Sequence, residues 1–420
     1  MSGVVGLIDA QVHDGQAMRT ADAGLLSLAL MDARNRTLGW LSAFEELEAA
    51  DLPPGADPAL WLAGRAGWFQ DYWIARHMQR ALGEAADPAG QRLASVDLRA
   101  DAWFERRPSS RRQRWQQTAP DPATLRTYLA LTLETTLDLL DKAGPGDAAL
   151  HVFRLALLHE DRLGEALGAL AQALGLAPER AATLVERGLW PTLASTGRRD
   201  PMWLPGQRFL LGSVPGGAVP DAEKWAHPVL VPEFEIDAQP VSWSQFAEFI
   251  EDGGYDEPGW WSEAGWAWCQ GHARRAPRYV EQVAGGVLAH RLGRLQRLPQ
   301  AQAVLHVSAH EAQAWCRWAG RRLPAEAEWE LAAVSASGRG FVWGQTLEWV
   351  AGRARRYPGA QDGPAALDVL PDPDSDAAAG VHTLRGASLW GSPRLRHTRA
   401  RRFVAAEDDG QFVGFRSCTL

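Results

Sequence analysis

The sequence predicts two parts of different class: an all-helical bundle first, then a loop-rich α+β domain. Three observations carry this. The chain has 420 residues, too many for one ordinary core. Through the first half, apolar residues recur at three- and four-residue spacing, as one face of a helix requires. Around Trp190 to Pro205 that period fades, and glycine, proline and tryptophan rise.

In chain order, Asp22 to Leu47 carries the helical spacing, and Asp51 to Pro58 breaks it with prolines. Trp61 to Arg80 is a second amphipathic stretch. Gly83 to Arg114 is mixed and polar, with a basic cluster that includes Arg111, Arg112 and Arg114. Asp121–Pro122 opens a third helix, to about Lys142, and Gly144 to Asp147 is a turn. The fourth long helix follows, to about Leu174. In it Leu155, Leu163, Leu167, Leu170 and Leu174 form an apolar stripe, with His159 in the gap. Pro178 to Gly188 reads as a short helix. Four long helices imply an up-and-down bundle.

In the second half, short extended pieces are expected at Phe209–Leu211, Val229–Ile236, Val304–Val307 and Val413–Arg416. Helices are expected at Ser242–Glu251, at Ser308–Ala319 with a Ser308/Glu311 capping box, and at Pro324–Val334. Asp372, Asp374 and Asp376 space like the start of a calcium loop. Ala377 and Thr383 stand where that loop needs its glycine and closing glutamate, so a solvated acidic loop is expected.

Composition narrows the function. A net charge of −8 speaks against generic nucleic-acid or anionic-membrane binding. Three widely spaced cysteines, Cys269, Cys316 and Cys418, argue against a disulfide framework and suit a reducing cytosol. No basic-then-apolar leader opens the chain, and no apolar run is long enough to span a membrane. Twenty tryptophans imply many half-buried indoles whose N–H groups need partners.

The second half carries more specific motifs. WAGRRLPAEAEWELAA (Trp318 to Ala333) resembles the signature of the formylglycine-generating-enzyme, or sulfatase-modifying-factor, fold. Around it stand LGS (211–213), HPVLVPEFEIDAQPVSWSQFAEFIEDGGY (227–255), LEWV (347–350), YPG (357–359), LRGAS (384–388) and FVGFRS (412–417), in the order of that family. Formylglycine generation uses a late cysteine pair; after Arg385–Gly386 only Cys418 remains, which speaks against that activity. Placed after a helical bundle, such a domain resembles the ergothioneine sulfoxide synthases and selenoneine synthases. GWFQDYWIAR (67–76) and FRLALLHEDRLGEAL (153–167) look like their two ligand-bearing helices.

The resemblance implies a DinB-like four-helix bundle over 1–195. It is followed over 196–420 by a loop-rich formylglycine-generating-enzyme-like (C-type-lectin-like) domain, with the site between them. It implies a three-histidine Fe(II) centre that uses oxygen to join a sulfur or selenium atom to hercynine (trimethylhistidine). The partners would be that betaine and a thiol or selenosugar donor. Carried over residue by residue, the helix motif H-x-x-x-H-x-E falls on His159, Leu163 and Glu165, and the earlier ligand position falls on Arg65. Leucine has no lone pair for a metal, and arginine stays protonated. His159 is then the one ligand kept, so a non-catalytic relative binding a betaine or a protein partner in the interdomain cleft is the alternative.

Other residues carry two readings each. His77 and His151 are replacement ligands or satisfied polar residues. His306 and His310 have ligand spacing with Glu311, but Ser308 starts a helix between them. The family's late motif falls on Ala400–Phe403, with Arg402 where asparagine is usual. Its acidic tyrosine would fall near Ala354, and Tyr357 is the nearest phenol. Trp349 and Phe403 offer ring faces to a trimethylammonium. Arg402, Arg111 and Arg114 offer forks to carboxylates.

Overall fold

The computed structural model describes residues 9–45, 57–105, 114, 120–187, 189–195, 197–367 and 380–420. The first half is helical: α1 (Gly15–Thr20), α2 (Ala23–Glu45), α3 (Ala59–Gln70), α4 (Ala100–Phe104), α5 (Pro122–Asp141), α6 (Asp147–Leu174) and α7 (Ala182–Glu186). Asp121 caps α5 by accepting the Thr124 N–H, and Pro122 occupies the first turn, where no amide donor is needed. α6 stops at Gly175, whose φ of 67° makes the left-handed turn that ends helices. The second helix departs from expectation. α3 ends at Gln70 and the chain continues as one π turn, Asp71–Ala75.

α2, α3, α5 and α6 pack on one another around Leu26, Leu30, Leu129, Phe153 and Leu157, all essentially inaccessible to solvent. One polar knot lies inside. Arg34 donates to Glu160 (2.8 and 3.2 Å) and to Gln70 (3.0 Å), while Thr37 and Gln70 also donate to Glu160 (2.8 and 3.0 Å). A charge pair is tolerated there because every lone pair of the carboxylate meets a donor.

The second half carries helices α8 (Trp243–Glu251), α9 (Glu263–Gly271), α10 (Ala309–Trp318) and α11 (Glu326–Ala336) among short strands. Strands β1 (Met202–Leu204), β4 (Phe234–Ile236), β13 (Cys418–Thr419) and β8 (Arg321–Arg322) form one sheet in the order β1-β4-β13-β8. β9 (Leu347–Arg353), β10 (Val381–Gly386), β11 (Arg401–Ala405) and β12 (Val413–Phe415) form another, ordered β11-β10-β9-β12. Within it Thr383 pairs with Phe403, and β12 runs parallel to β9. β2 (Gln207–Leu211) and β3 (His227–Val231) make a ribbon. β5 (Val280–Gln282), β6 (Leu288–Arg291) and β7 (Arg294–Arg297) make a small third sheet. Several indoles find the expected partners: Trp329 donates to Glu348 (2.9 Å), Trp315 to the Gln245 carbonyl (3.1 Å) and Trp261 to the Gly254 carbonyl (2.9 Å), whereas the buried Nε1 groups of Trp61 and Trp243 meet no acceptor among the described residues.

Ser308 and Glu311 do form a capping box. Three local expectations change. Val229–Ile236 splits into β3 and β4. Val304–Val307 is no strand, because His306 turns the backbone to φ 62°. α11 begins at Glu326, with Ala325 extended as its N-cap and Glu328 accepting the Ala325 N–H at 2.6 Å, so Pro324 stands before the helix. The acidic loop Asp372–Asp376 and the basic Arg111 and Arg112 lie outside the described residues. All three cysteines are buried free thiols. Among the described residues no helix is long and apolar enough to cross a membrane.

The two halves are joined by buried ion pairs and by close backbone contact. Arg394 forks Asp161 of α6 (2.8 Å to each oxygen) and reaches Asp32 of α2 at 2.7 Å. Arg19 forks Glu223 at 2.6 and 2.8 Å. The Gln172 side chain pairs with the backbone of His290 and Leu292, both at 2.9 Å. Gly293 (φ 74°) approaches Gly175 so closely that a Cβ on it would sit 2.2 Å from the Gly175 oxygen.

Candidate functional site

Where the halves meet, a cavity of about 920 Å³ opens between α6 and the second half. That is at the large end of ordinary small-molecule sites. α6 contributes Arg162 and Glu165; β11 contributes Arg402 and Phe403; the 407–412 loop and the 268–279 segment close the far wall.

Glu165 is the hinge of the near wall. One carboxylate oxygen accepts from the Ser388 hydroxyl at 2.6 Å, and the other pairs with Arg402. Thus one α6 side chain holds two points of the second half. On the far wall, Asp409 is buried and pairs with both Arg274 and Arg278, the latter at 3.0 Å. Arg274 lies over the Trp268 ring (5.4 Å) and Arg278 over the Tyr279 ring (5.1 Å). Behind them His306 meets Tyr279 (4.9 Å) and Phe412 (4.7 Å) edge to face. Burial pushes its imidazole down to about 3, so the ring is neutral at physiological pH, and Nδ1 lies 3.2 Å from the Asp409 carbonyl oxygen. Tyr279 and His306 both hold positive φ (70° and 62°), a strain for non-glycine residues that a packed site can stabilise.

The iron positions implied by the resemblance are held by packed side chains. His159 stacks on Phe69, ring centroids 4.4 Å apart. Leu163, one turn on, packs against the apolar cluster that holds Leu62, Phe104 and Leu167. The Arg65 guanidinium lies over the Trp68 ring (4.4 Å) and donates to the Phe104 carbonyl at 3.0 Å. Phe104 comes this close because Gly64 has no side chain; a Cβ there would sit 2.1 Å from the ring. An imidazole, a leucine and a fixed cation do not make a ferrous site, and no group of three His, Cys, Asp or Glu suited to a metal occurs among the described residues. The residues present do not fit an iron centre at this position.

The other expected site residues scatter. Arg402 and Phe403 line the cavity. Trp349 does not: it is fully buried and its indole donates to the Val307 carbonyl at 2.8 Å. Tyr357 is buried under Arg401 (3.6 Å from guanidinium carbon to ring centroid), and burial raises its hydroxyl well above the usual phenol range. It is not among the cavity-lining residues. Arg114 stands behind the rim, pairing at 2.7 Å with Asp57, which lines the cavity. Arg111 lies outside the described residues. His77 is a satisfied buried histidine, Nε2 against the Asp87 carbonyl at 2.9 Å. His151 is buried beside Gly83, and burial lowers its pKa. Arg274, Arg278, Tyr279 and Asp409 escaped the sequence reading. The opposed runs His272–Arg278 and Glu407–Asp409 were the available signal, but nothing in either run shows that they meet.

Known proteins share this arrangement of sequence. The sulfatase-modifying factor enzyme 1-like domain matches residues 191–367. The hercynine oxygenase of Mycolicibacterium smegmatis is 32% identical over 374 residues, covering 86% of this chain and 78% of that protein. That of Mycobacterium tuberculosis is 33% identical over 375 residues, covering 88% and 78%. The formylglycine-generating enzyme of Streptomyces coelicolor is 33% identical over 171 residues, 37% of this chain and 54% of that protein. The hercynine oxygenases thus align through the helical half as well as the second, and by that shared extent the chain belongs to the hercynine oxygenase family.

Proposed function

We propose that this chain binds hercynine in the cavity between its halves, without a three-imidazole iron centre at the position its relatives' motif would occupy. The reading rests on Arg402. It is a guanidinium held by Glu165 at the wall of the cavity of about 920 Å³ that Phe403 also lines. Glu165 pairs with Nη1, so the Nε–Nη2 edge can fork the carboxylate of a betaine. The trimethylammonium end then faces the aromatic lining of Phe403, Trp268 and Tyr279, sharing those rings with the guanidinium groups of Arg401, Arg274 and Arg278. In this reading the helical half is a DinB-like bundle, the division falls near residue 195, and the protein works in the cytosol. The cavity exceeds one small betaine, leaving room for a thiol or selenosugar.

Calorimetric titration with hercynine tests this directly. Saturable 1:1 binding is expected, weakened at least tenfold in Arg402→Ala. No binding to the folded protein overturns it. In parallel, the protein is loaded anaerobically with ferrous iron and desalted. Little retained iron is expected. Stoichiometric iron, lost in His159→Ala, would overturn the metal-free reading and restore an iron- and oxygen-dependent C–S or C–Se bond-forming enzyme.

A further inference from the structure

We infer that Glu165 is the positioning residue of the cavity: it aims Arg402 at the carboxylate of the bound betaine and locks that aim to Ser388 of the second half. The inference rests on the hercynine-binding reading and adds the device that makes it selective. Arginine loses much rotamer freedom when fixed, so an arginine already fixed binds a carboxylate more tightly than one that must be ordered on binding. Glu165 provides that fixing. Its side chain is 9% exposed, and both oxygens are engaged, one by Ser388 and one by Arg402. It comes from α6, whose neighbouring Asp161 is itself forked by Arg394, so the helix carrying the clamp is anchored one turn away. Ser388 follows β10 and Arg402 sits in β11, which pair directly, Leu384 opposite Arg402. The clamp therefore ties β11 to the start of the segment that leaves β10.

Charge alone predicts the opposite behaviour. A carboxylate beside Arg402 partly neutralises it and repels the carboxylate of the ligand. If Glu165 acted only through charge, removing it would tighten hercynine binding. If it positions Arg402, removing it loosens binding. Glu165→Gln can still accept from Arg402 through its amide oxygen and donate to the Ser388 oxygen, so a positioning role is largely rescued by glutamine.

The experiment measures Kd for two probes, hercynine and its decarboxylated analogue trimethylhistamine, in wild type, Glu165→Ala and Glu165→Gln. Glu165→Ala is expected to lose about tenfold for hercynine and less than twofold for the analogue. Glu165→Gln is expected to stay within about threefold of wild type for both. Tighter hercynine binding in Glu165→Ala, a change beyond about threefold in Glu165→Gln, or equal losses for both probes in Glu165→Ala, overturns the inference. If wild type binds neither probe, or binds both alike, the underlying reading fails instead. Should Glu165→Ala not fold, Ser388→Ala removes the other anchor: a hercynine-selective loss supports the clamp, and unchanged binding overturns it.

Discussion

Arg65 and Leu163 differ from a ferrous site in ways a single side chain decides. Arg65 is held by an indole face and a carbonyl, and Leu163 by an apolar cluster. Both readings were available from sequence, because they depend on residue type at fixed helical spacing. The fate of Trp349 was not. Whether an aromatic in a strand faces a cavity or a core depends on which sheet face is covered, and composition does not say. Gly64 is the least visible of these positions. It lets Phe104 close over α3 beside Arg65. Gly64→Ala is expected to destabilise the protein by about 1–3 kcal/mol through overpacking, measured by denaturant titration with unchanged m. A neutral result would mean that Phe104 moves aside freely.

At the scale of elements, α2 and α6 are joined by more than leucines. Arg34 and Glu160 face each other inside the bundle, both about 2% exposed or less. Arg34→Met leaves an uncompensated buried carboxylate and should cost about 3–5 kcal/mol. The double variant Arg34→Met/Glu160→Leu should recover most of that loss, and a double-mutant cycle checks it. α10 offers a titration test. Glu311, at the third position of its capping box, accepts from the Ser308 N–H (2.7 Å) and the Tyr255 hydroxyl (2.6 Å). Burial pushes its carboxyl up to about 7 from its ordinary 4.5. Between those values the folded state keeps a proton that the unfolded state releases, so stability falls as pH rises through the window and levels off above it. Glu311→Gln should flatten the drop in Tm between about pH 5 and 7 relative to wild type; parallel curves would show that Glu311 does not titrate there. The capping box itself was legible in the sequence, since it needs only two residues three apart. The carboxyl shift was not, since it comes from burial in the surrounding core, against which the Tyr255 hydroxyl pulls the other way.

For the whole molecule, the decisive observation is that the halves share buried charge. Arg394, wholly buried, serves Asp161 and Asp32 together. Arg394→Ala removes one of the ties between the halves and leaves Asp161 buried without its fork, so it should broaden the cooperative calorimetric transition or split it in two. A single transition, merely shifted, would mean that the remaining contacts couple the halves on their own. The order of the parts was legible in sequence, from period and motif. The seam was not. Gly175 against Gly293, Glu165 against Arg402 and Arg394 against Asp161 each join residues more than a hundred positions apart, and no local pattern marks such a pair.

The π turn at Asp71–Ala75 gives the first half a phase shift of its own. Such a turn is geometrically an α-helix with one residue inserted. Without that residue, the last turn would sit rotated by about 100° against α3, and the chain, which leaves the helix after Ala75, would exit toward His77 in another direction. Alignments that slide a gap through Gln70–Arg76 therefore compare side chains from different faces of the bundle. A one-residue deletion there is a change of orientation as much as a change of length.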